Sequence, residues 1–488
     1  MQSTVVPAAT SSPDSEIVSG RLERLSQLLS SQPSRLALTR HGGEVTEVSA
    51  SHILVSGLQT RVELGSCVEI ESGDNRWTGE VIGINAGCAT IKLFSTTSRL
   101  SLGARVWARD DLTLRPDALW RGRVINALGQ PIDSGAPIKD GARAYPIDRE
   151  PSSPMALKRI SKPIRTGVRA IDLFTPLCAG QRIGVFAGSG VGKSTLISML
   201  TKSPGFKTIV VALVAERARE VREFVEDVIG PHRARSVVVV ASSSESAMMR
   251  KLAAKTAMTI AEFFRDQGDD VLLVVDSITR FAHALREVAL AAGEPPVARG
   301  YAPSVFAELP RLLERAGPGT PESGSITGIF SVLVDGDDHN EPIADTVRGI
   351  LDGHIVLERS IADQGRYPAI NPLTSISRLA HLAWSSDEAQ LVRRLRAIIA
   401  RFEETRDLRS VGVYKPGSDL ELDQAVALTP ALYRLLTQLP DDPASDSAFD
   451  ELAAVLTDYR NQQVVGVLQT GPAHGPTKLE NADARNRH

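Results

Sequence analysis

From residue 35 to about 115, apolar and polar positions alternate in short segments: Val45–Val48, His52–Val55, Cys67–Ile70, Thr78–Ile82, Thr90–Leu93 and Arg105–Trp107, most of them separated by glycine. Six β-segments at this spacing predict a small closed barrel. Between about 116 and 380 the pattern changes to apolar runs, Ile183–Phe186, Thr208–Val214, Ser236–Val240, Val271–Val275 and Ile326–Leu333, with helical periodicity between them. That alternation predicts an α/β domain built on a largely parallel sheet. One intervening helix, Ala247–Arg265, should turn Met249, Leu252, Ala253, Ile260 and Phe264 inward. Beyond 381, the run Leu391, Leu395, Ile398 and Ile399 has helical spacing and predicts a helical C-terminal domain reaching about 470. Ahead of the barrel, Val18, Leu22, Leu25 and Leu29 mark a short amphipathic helix after a Ser- and Pro-rich stretch, residues 1–16, that reads as disordered. This stripe suits packing on its own domain, docking to a partner, or contact with an anionic membrane surface. The segment after Gly471 reads as a disordered tail. The expected organisation is therefore 1–34, 35–115, 116–380, 381–470 and 471–488.

Composition narrows the function classes. A chain of 488 residues exceeds one compact core and suggests about three domains of ~150 residues. Its 55 basic and 58 acidic residues are interspersed and leave a net charge of −3, unlike the basic face of a dedicated nucleic-acid binder. The barrel region lacks the clustered basic and aromatic residues that single-strand binding requires, and an assembly collar suits it better. Cys67, Cys88 and Cys178 support neither a disulfide framework nor a zinc site, which fits a reducing cytoplasm. No apolar run approaches the ~18 residues of a membrane span.

The chemistry concentrates in Gly188, Ser189, Gly190, Val191, Gly192, Lys193, Ser194 and Thr195, which lie between a predicted strand and a predicted helix. Glycines at alternate positions let backbone N–H groups turn inward around a polyphosphate, and the helix N-terminus adds partial positive charge. Lys193 can reach β- and γ-phosphates, and the Ser194 hydroxyl suits Mg²⁺. The run predicts ATP binding, although Ala187 stands where a strict G-x-x-x-x-G-K-[ST] motif has glycine. Ligands in such sheets bind beyond the carboxyl ends of the strands. There Asp276 ends Val271–Val275 and suits support of the metal, while Glu216, after Thr208–Val214, is the candidate for orienting the attacking water. On its residues alone, Glu216 equally suits a salt bridge with Arg219 or Arg222. Arg378 by itself is only a basic residue after a Pro-containing loop.

The chain resembles the hexameric ATPases of the rotary-ATPase superfamily and, within it, the type III export branch, most closely its flagellar members. The resemblance rests on Gly122–Asp133, Thr166–Asp172, Ala187–Thr195, Asp276–Phe281, Gly324–Thr327, Asp337–Pro342 and Tyr367–Arg378. It implies a RecA-like P-loop domain, ATP with Mg²⁺, and catalytic roles for Lys193, Glu216, Arg217 and Arg378. Arg378 matches the arginine finger offered to a neighbouring subunit, so a homohexamer is implied. Tyr367 matches the residue beside adenine, and Tyr414 a closing residue of the base pocket. The family tolerates alanine at position 187 and has Gly-Glu-Arg where this chain has Ala215-Glu216-Arg217. The resemblance further implies a cytoplasmic protein associated peripherally with the inner membrane at the flagellar base. Its implied partners are an export regulator, stalk proteins, the export gate, exported flagellar substrates and chaperones, without nucleic acid. A virulence-secretion ATPase, a non-catalytic nucleotide-binding subunit and an RNA translocase are the competing readings. Non-catalytic relatives generally lack the carboxylate found at Glu216.

Overall fold

The structure is a computed structural model and describes residues 41–96, 99–334 and 341–469. The expected N-terminal helix, the tail after Gly471 and most of the Asp337–Pro342 motif lie outside the described residues. Two compact units make up the chain: one reaches Ile91 and includes Arg99–Asp110, and the other holds Lys92–Ser98 and everything from Asp111 onward.

The first unit contains the closed barrel that the alternation predicts. Its strands are β1 (Gly42–Val48), β2 (Ile53–Ser56), β3 (Cys67–Ser72), β4 (Asn75–Ile84), β5 (Ala89–Leu93) and β6 (Arg105–Ala108), in the order β1-β2-β5-β4-β3-β6. Alternate residues, among them Val45, Ile53, Val55, Val68, Ile70, Val81, Ile91 and Val106, are buried inside it, as period-two side-chain alternation requires. Closure joins β1 to β6, so the sheet has no free edge.

The second unit is built on a nine-stranded sheet. Its main path uses β7 (Val124–Asn126), β8 (Arg182–Ala187), β9 (Thr208–Glu216), β10 (Ser236–Ser242), β11 (Asp270–Asp276), β12 (Ser325–Leu333), β13 (Gly353–Leu357) and β14 (Ile376–Ser377), in the order β14-β13-β8-β12-β11-β9-β10-β7. All neighbours on this path are parallel except β13 and β14. The interior strands are buried on both faces, which explains their unbroken Val, Ile and Leu runs. β8 lies between β12 and β13, so the strand feeding the glycine loop is fixed on both sides. β7, β13 and β14 are additions to the strands expected: they are three, five and two residues long, too short for periodicity to separate from a loop.

Helices cover the sheet: α1 (Lys193–Thr201), α2 (Ala218–Glu223), α3 (Ala247–Asp266), α4 (Ile278–Ala291), α5 (Pro303–Leu313), α6 (Pro342–Ile350) and α7 (Arg359–Ala362). α3 buries Met249, Leu252, Ala253, Ile260 and Phe264 as expected, and its burial extends to every residue from Ala247 to Arg265 except Arg250. Its polar side is satisfied instead of solvated. Lys255 pairs with Asp148 and Glu308, and Glu262 pairs with Arg315, as buried charges must. The C-terminal region is helical, with α8 (Ser386–Glu404), α9 (Leu420–Leu436) and α10 (Ala448–Gln469). Ser385 and Glu388 form a capping box that starts α8. Leu395 and Ile399 are buried with Val392 against Leu428, Leu432 and Leu452, while Leu391 and Ile398 pack at the margin. No helix among the described residues is long and apolar enough to cross a membrane.

Candidate active site

Four neighbouring parallel strands, β8, β12, β11 and β9, bring their carboxyl ends to one cavity of about 710 Å³. Its polar lining includes Lys193, Ser194, Glu216, Glu220, Asp276 and Arg280. Gly188, Ser189, Gly190, Gly192 and Thr195 line it as well. The loop needs glycine at two positions, for Gly190 has φ 77° and Gly192 φ 103°, values that an L side chain resists. Ala187 is the last residue of β8, is buried, and is not at positive φ. Its methyl group therefore fills core space at no backbone cost, which accounts for the departure from the strict motif. Val191 does not line the cavity; at 1% exposure it plugs the loop into the apolar core.

The ionisable groups form two linked sets. Lys193 Nζ pairs with the Asp276 carboxylate, which also accepts a 2.7 Å bond from Ser331 Oγ. Arg280 Nη1 lies 2.5 Å from Glu216 Oε1 and donates to the Ala215 carbonyl at 2.8 Å. Burial, first, and then the hydrogen bond to Glu220 raise the Glu216 carboxyl above its ordinary range, against the pull of Arg280. The same hydrogen bond lowers Glu220. The net rise shifts the basicity of Glu216 toward what a proton acceptor near neutral pH requires.

Ala215 has φ 57°, in the left-handed region, and the β9–β10 register breaks between Val214 and Glu216. This kink turns the Glu216 side chain at the strand tip. An L-residue there costs about 1–2 kcal/mol, offset in part by the entropy that glycine would lose. Ala215→Gly is expected to stabilise the fold by about 0.5–1 kcal/mol, read as a raised urea midpoint with an unchanged m value. A lowered midpoint would count against strain at this residue.

The remaining expected site residues are distributed differently. Tyr367 is half-buried with its ring against the loop, where a Cβ on Gly192 would lie 3.2 Å from Tyr367 Cε1. The Tyr367 carbonyl accepts from the Gln438 N–H at 2.7 Å. Arg217 precedes α2 and is 79% exposed, paired with Glu220 at 3.2 Å and outside the cavity lining. Tyr414 is also outside the lining, its hydroxyl donating to Asp423 at 2.5 Å. Arg378, just beyond β14, is exposed and donates to the Arg348 carbonyl at 3.4 Å, so it serves no part of its own chain's cavity. Glu220 and Arg280 are site residues that sequence reasoning misses. Each lies four positions after a recognised carboxylate, at the start of the helix that follows the strand, and that spacing is the available signal.

A glycine loop between β8 and α1, with carboxylates at the tips of β9 and β11, defines a P-loop nucleotide-binding domain of the ATPase type. Residues 167–377 match the nucleotide-binding domain of the ATP synthase alpha/beta family, and residues 384–455 match the C-terminal domain of the type III secretion ATPase EscN. A flagellum-specific ATP synthase of Agrobacterium fabrum is 53% identical over 90% of this chain and 93% of the relative. A type 3 secretion system ATPase of Xanthomonas euvesicatoria is 42% identical over 89% of this chain and 98% of the relative. The assembled ATPase EscN from the enteropathogenic E. coli type III secretion system superposes with a TM-score of 0.79 at 36% identity, covering 86% of this chain and 100% of that one. EscN has also been solved in complex with its central stalk EscO, with a TM-score of 0.77 at 36% identity and the same coverage. The chain belongs to the flagellum-specific ATP synthase family, and it is an ATPase.

Proposed function

We propose that this chain powers flagellar type III protein export by hydrolysing ATP at the subunit interfaces of a homohexamer. The observation that carries the reading is Glu216, buried beside the glycine loop in one cavity with Lys193 and Asp276. A subunit that only held nucleotide would not need that carboxylate. Lys193 and the inward N–H groups of the loop bind the β- and γ-phosphates. Glu216 orients water in line with the γ-phosphate and accepts its proton, while Arg280 steadies the carboxylate. Arg217, outside its own chain's cavity, joins the site on assembly, and Tyr367 stacks beside the base. Ser194 and Asp276 supply a hydroxyl and a carboxylate oxygen at the cavity, the hard donors that Mg²⁺ takes. When bound there, the ion neutralises charge on the phosphate oxygens.

Higher identity to the flagellar relative than to the type 3 secretion ATPase favours the flagellar branch. Assembled EscN and its stalk complex support an oligomer that takes a stalk protein, which on this reading is a homohexamer. The setting proposed is cytoplasmic, at the inner-membrane base of the flagellum, with the export regulator, gate, chaperones and exported proteins as further partners. The barrel acts as the collar, and the domain limits 35–115, 116–380 and 381–470 follow from this reading. Glu216→Gln is expected to lower kcat by at least ~10²-fold while ATP affinity stays near normal. Its pH profile should also lose the acid limb that the raised Glu216 carboxyl imposes. Joint loss of binding and rate would instead mark Glu216 as a structural ion-pair partner. Deleting the gene should abolish motility and flagellin secretion; intact secretion would refute the export role.

A further inference from the structure

The parallel register of β8 and β13 pairs Ala187 with Leu357. Ser189 and Arg359 each lie two residues beyond that pair, and Arg359 Nη2 donates to the Ser189 carbonyl at 2.8 Å. Arg359 is exposed, begins α7, and is not part of the cavity lining, whereas Ser189 and Gly190 are. The Ser189 carbonyl is thus directed at Arg359, a residue outside the cavity lining. In a trans peptide the C=O and the following N–H point in opposite directions, so the Gly190 N–H is directed away from Arg359. The residue before it, Glu358, is anchored through both its side chain and its backbone. Asn371 Nδ2 donates to Glu358 Oε1 at 2.7 Å, and the Glu358 N–H donates to the Ala369 carbonyl at 3.0 Å.

We infer that Arg359 is a positioning residue of the ATP site: by holding the Ser189 carbonyl outward, it keeps the Gly190 N–H facing the phosphates. Residue 190 is glycine at φ 77°, so no side chain of its own restrains the conformation of this peptide. A rotated peptide presents a carbonyl oxygen to a polyphosphate, replacing attraction with repulsion. Arg359 thus acts on ground-state binding without touching nucleotide, and it prepares the loop before ATP arrives. This inference rests on the reading that the glycine loop binds the phosphates of ATP.

The test uses the purified full-length chain with a fluorescent ATP analogue and steady-state hydrolysis. Arg359→Ala is expected to raise both Kd and KM about tenfold, the scale of one lost charge-assisted hydrogen bond. Its kcat should stay within about twofold of wild type, the unfolding midpoint should be unchanged, and Arg359→Lys should recover most of the affinity. A merely structural role would lower the midpoint, kcat and affinity together and would not single out KM. Wild-type Kd and KM in Arg359→Ala, or losses that track the unfolding midpoint, would overturn the inference. Lys193→Ala separates the two levels. If it loses ATP binding while Arg359→Ala does not, only the positioning role fails; if it keeps full binding, the phosphate-loop reading fails.

Discussion

Arg378→Ala binds ATP with near-normal affinity and hydrolyses it roughly 10³–10⁵-fold more slowly, the worth of an arginine supplied to a phosphoryl-transfer site. The structure motivates this expectation by where the residue is not. Arg378 is exposed beyond β14, hydrogen-bonds to the Arg348 carbonyl, and takes no part in its own cavity. On the proposed reading, an arginine so placed serves the γ-phosphate of a neighbouring subunit rather than its own. Mixing Arg378→Ala with Lys193→Ala should then restore activity, since some interfaces pair an intact loop with an intact finger. Specific activity of the wild type should rise with protein concentration as subunits assemble. Absence of recovery despite demonstrated co-assembly, together with concentration-independent activity, would reduce Arg378 to a structural residue.

Lys193→Ala has an equally large expected effect: ATP binding is lost and turnover falls to background. Two causes act together. On the proposed reading the variant removes the cation that would hold the β- and γ-phosphates, and it strips the partner from Asp276, whose side chain is 4% exposed. Ser331 still donates to that carboxylate, and the cavity admits water, so the stability cost should be about 1–3 kcal/mol, below that of a fully buried broken pair. Lys193→Ala/Asp276→Ala should recover part of this stability in urea titrations and none of the activity. A double variant less stable than the sum of the singles would contradict the ion pair as the source of the loss.

Whether a feature is legible in the sequence depends on whether the relevant interaction is local. The six barrel strands are legible because each alternates along its own length, and β9 and β11 because each is an apolar run ending in a carboxylate, Glu216 or Asp276. The glycine loop is legible because its chemistry lies within consecutive residues. By contrast, the clamp of Arg280 on Glu216 and Ala215 depends on how β9 and α4 sit side by side. The bond from Arg359 to Ser189 depends on the β8–β13 register, and β13 itself is too short to recognise. Val191 groups with the loop by sequence adjacency, yet it faces the core. The burial of Lys255 and Glu262 on α3 is likewise not legible, because their partners Asp148, Glu308 and Arg315 lie far along the chain.

The sheet order also dictates when each part of the chain can become native during synthesis. All six barrel strands lie within Gly42–Ala108, so the barrel can close while most of the chain is still unmade. β8 has no such freedom: both of its neighbours, Ser325–Leu333 and Gly353–Leu357, are translated long after it. At ~5–20 residues per second, its apolar edges stay open for on the order of ten seconds. Long-range parallel pairing of this kind folds slowly and exposes the chain to aggregation. The strand that carries the ATP site is therefore one that holdase chaperones and low growth temperature should protect most, and truncations before β12 should yield a folded barrel attached to an insoluble remainder.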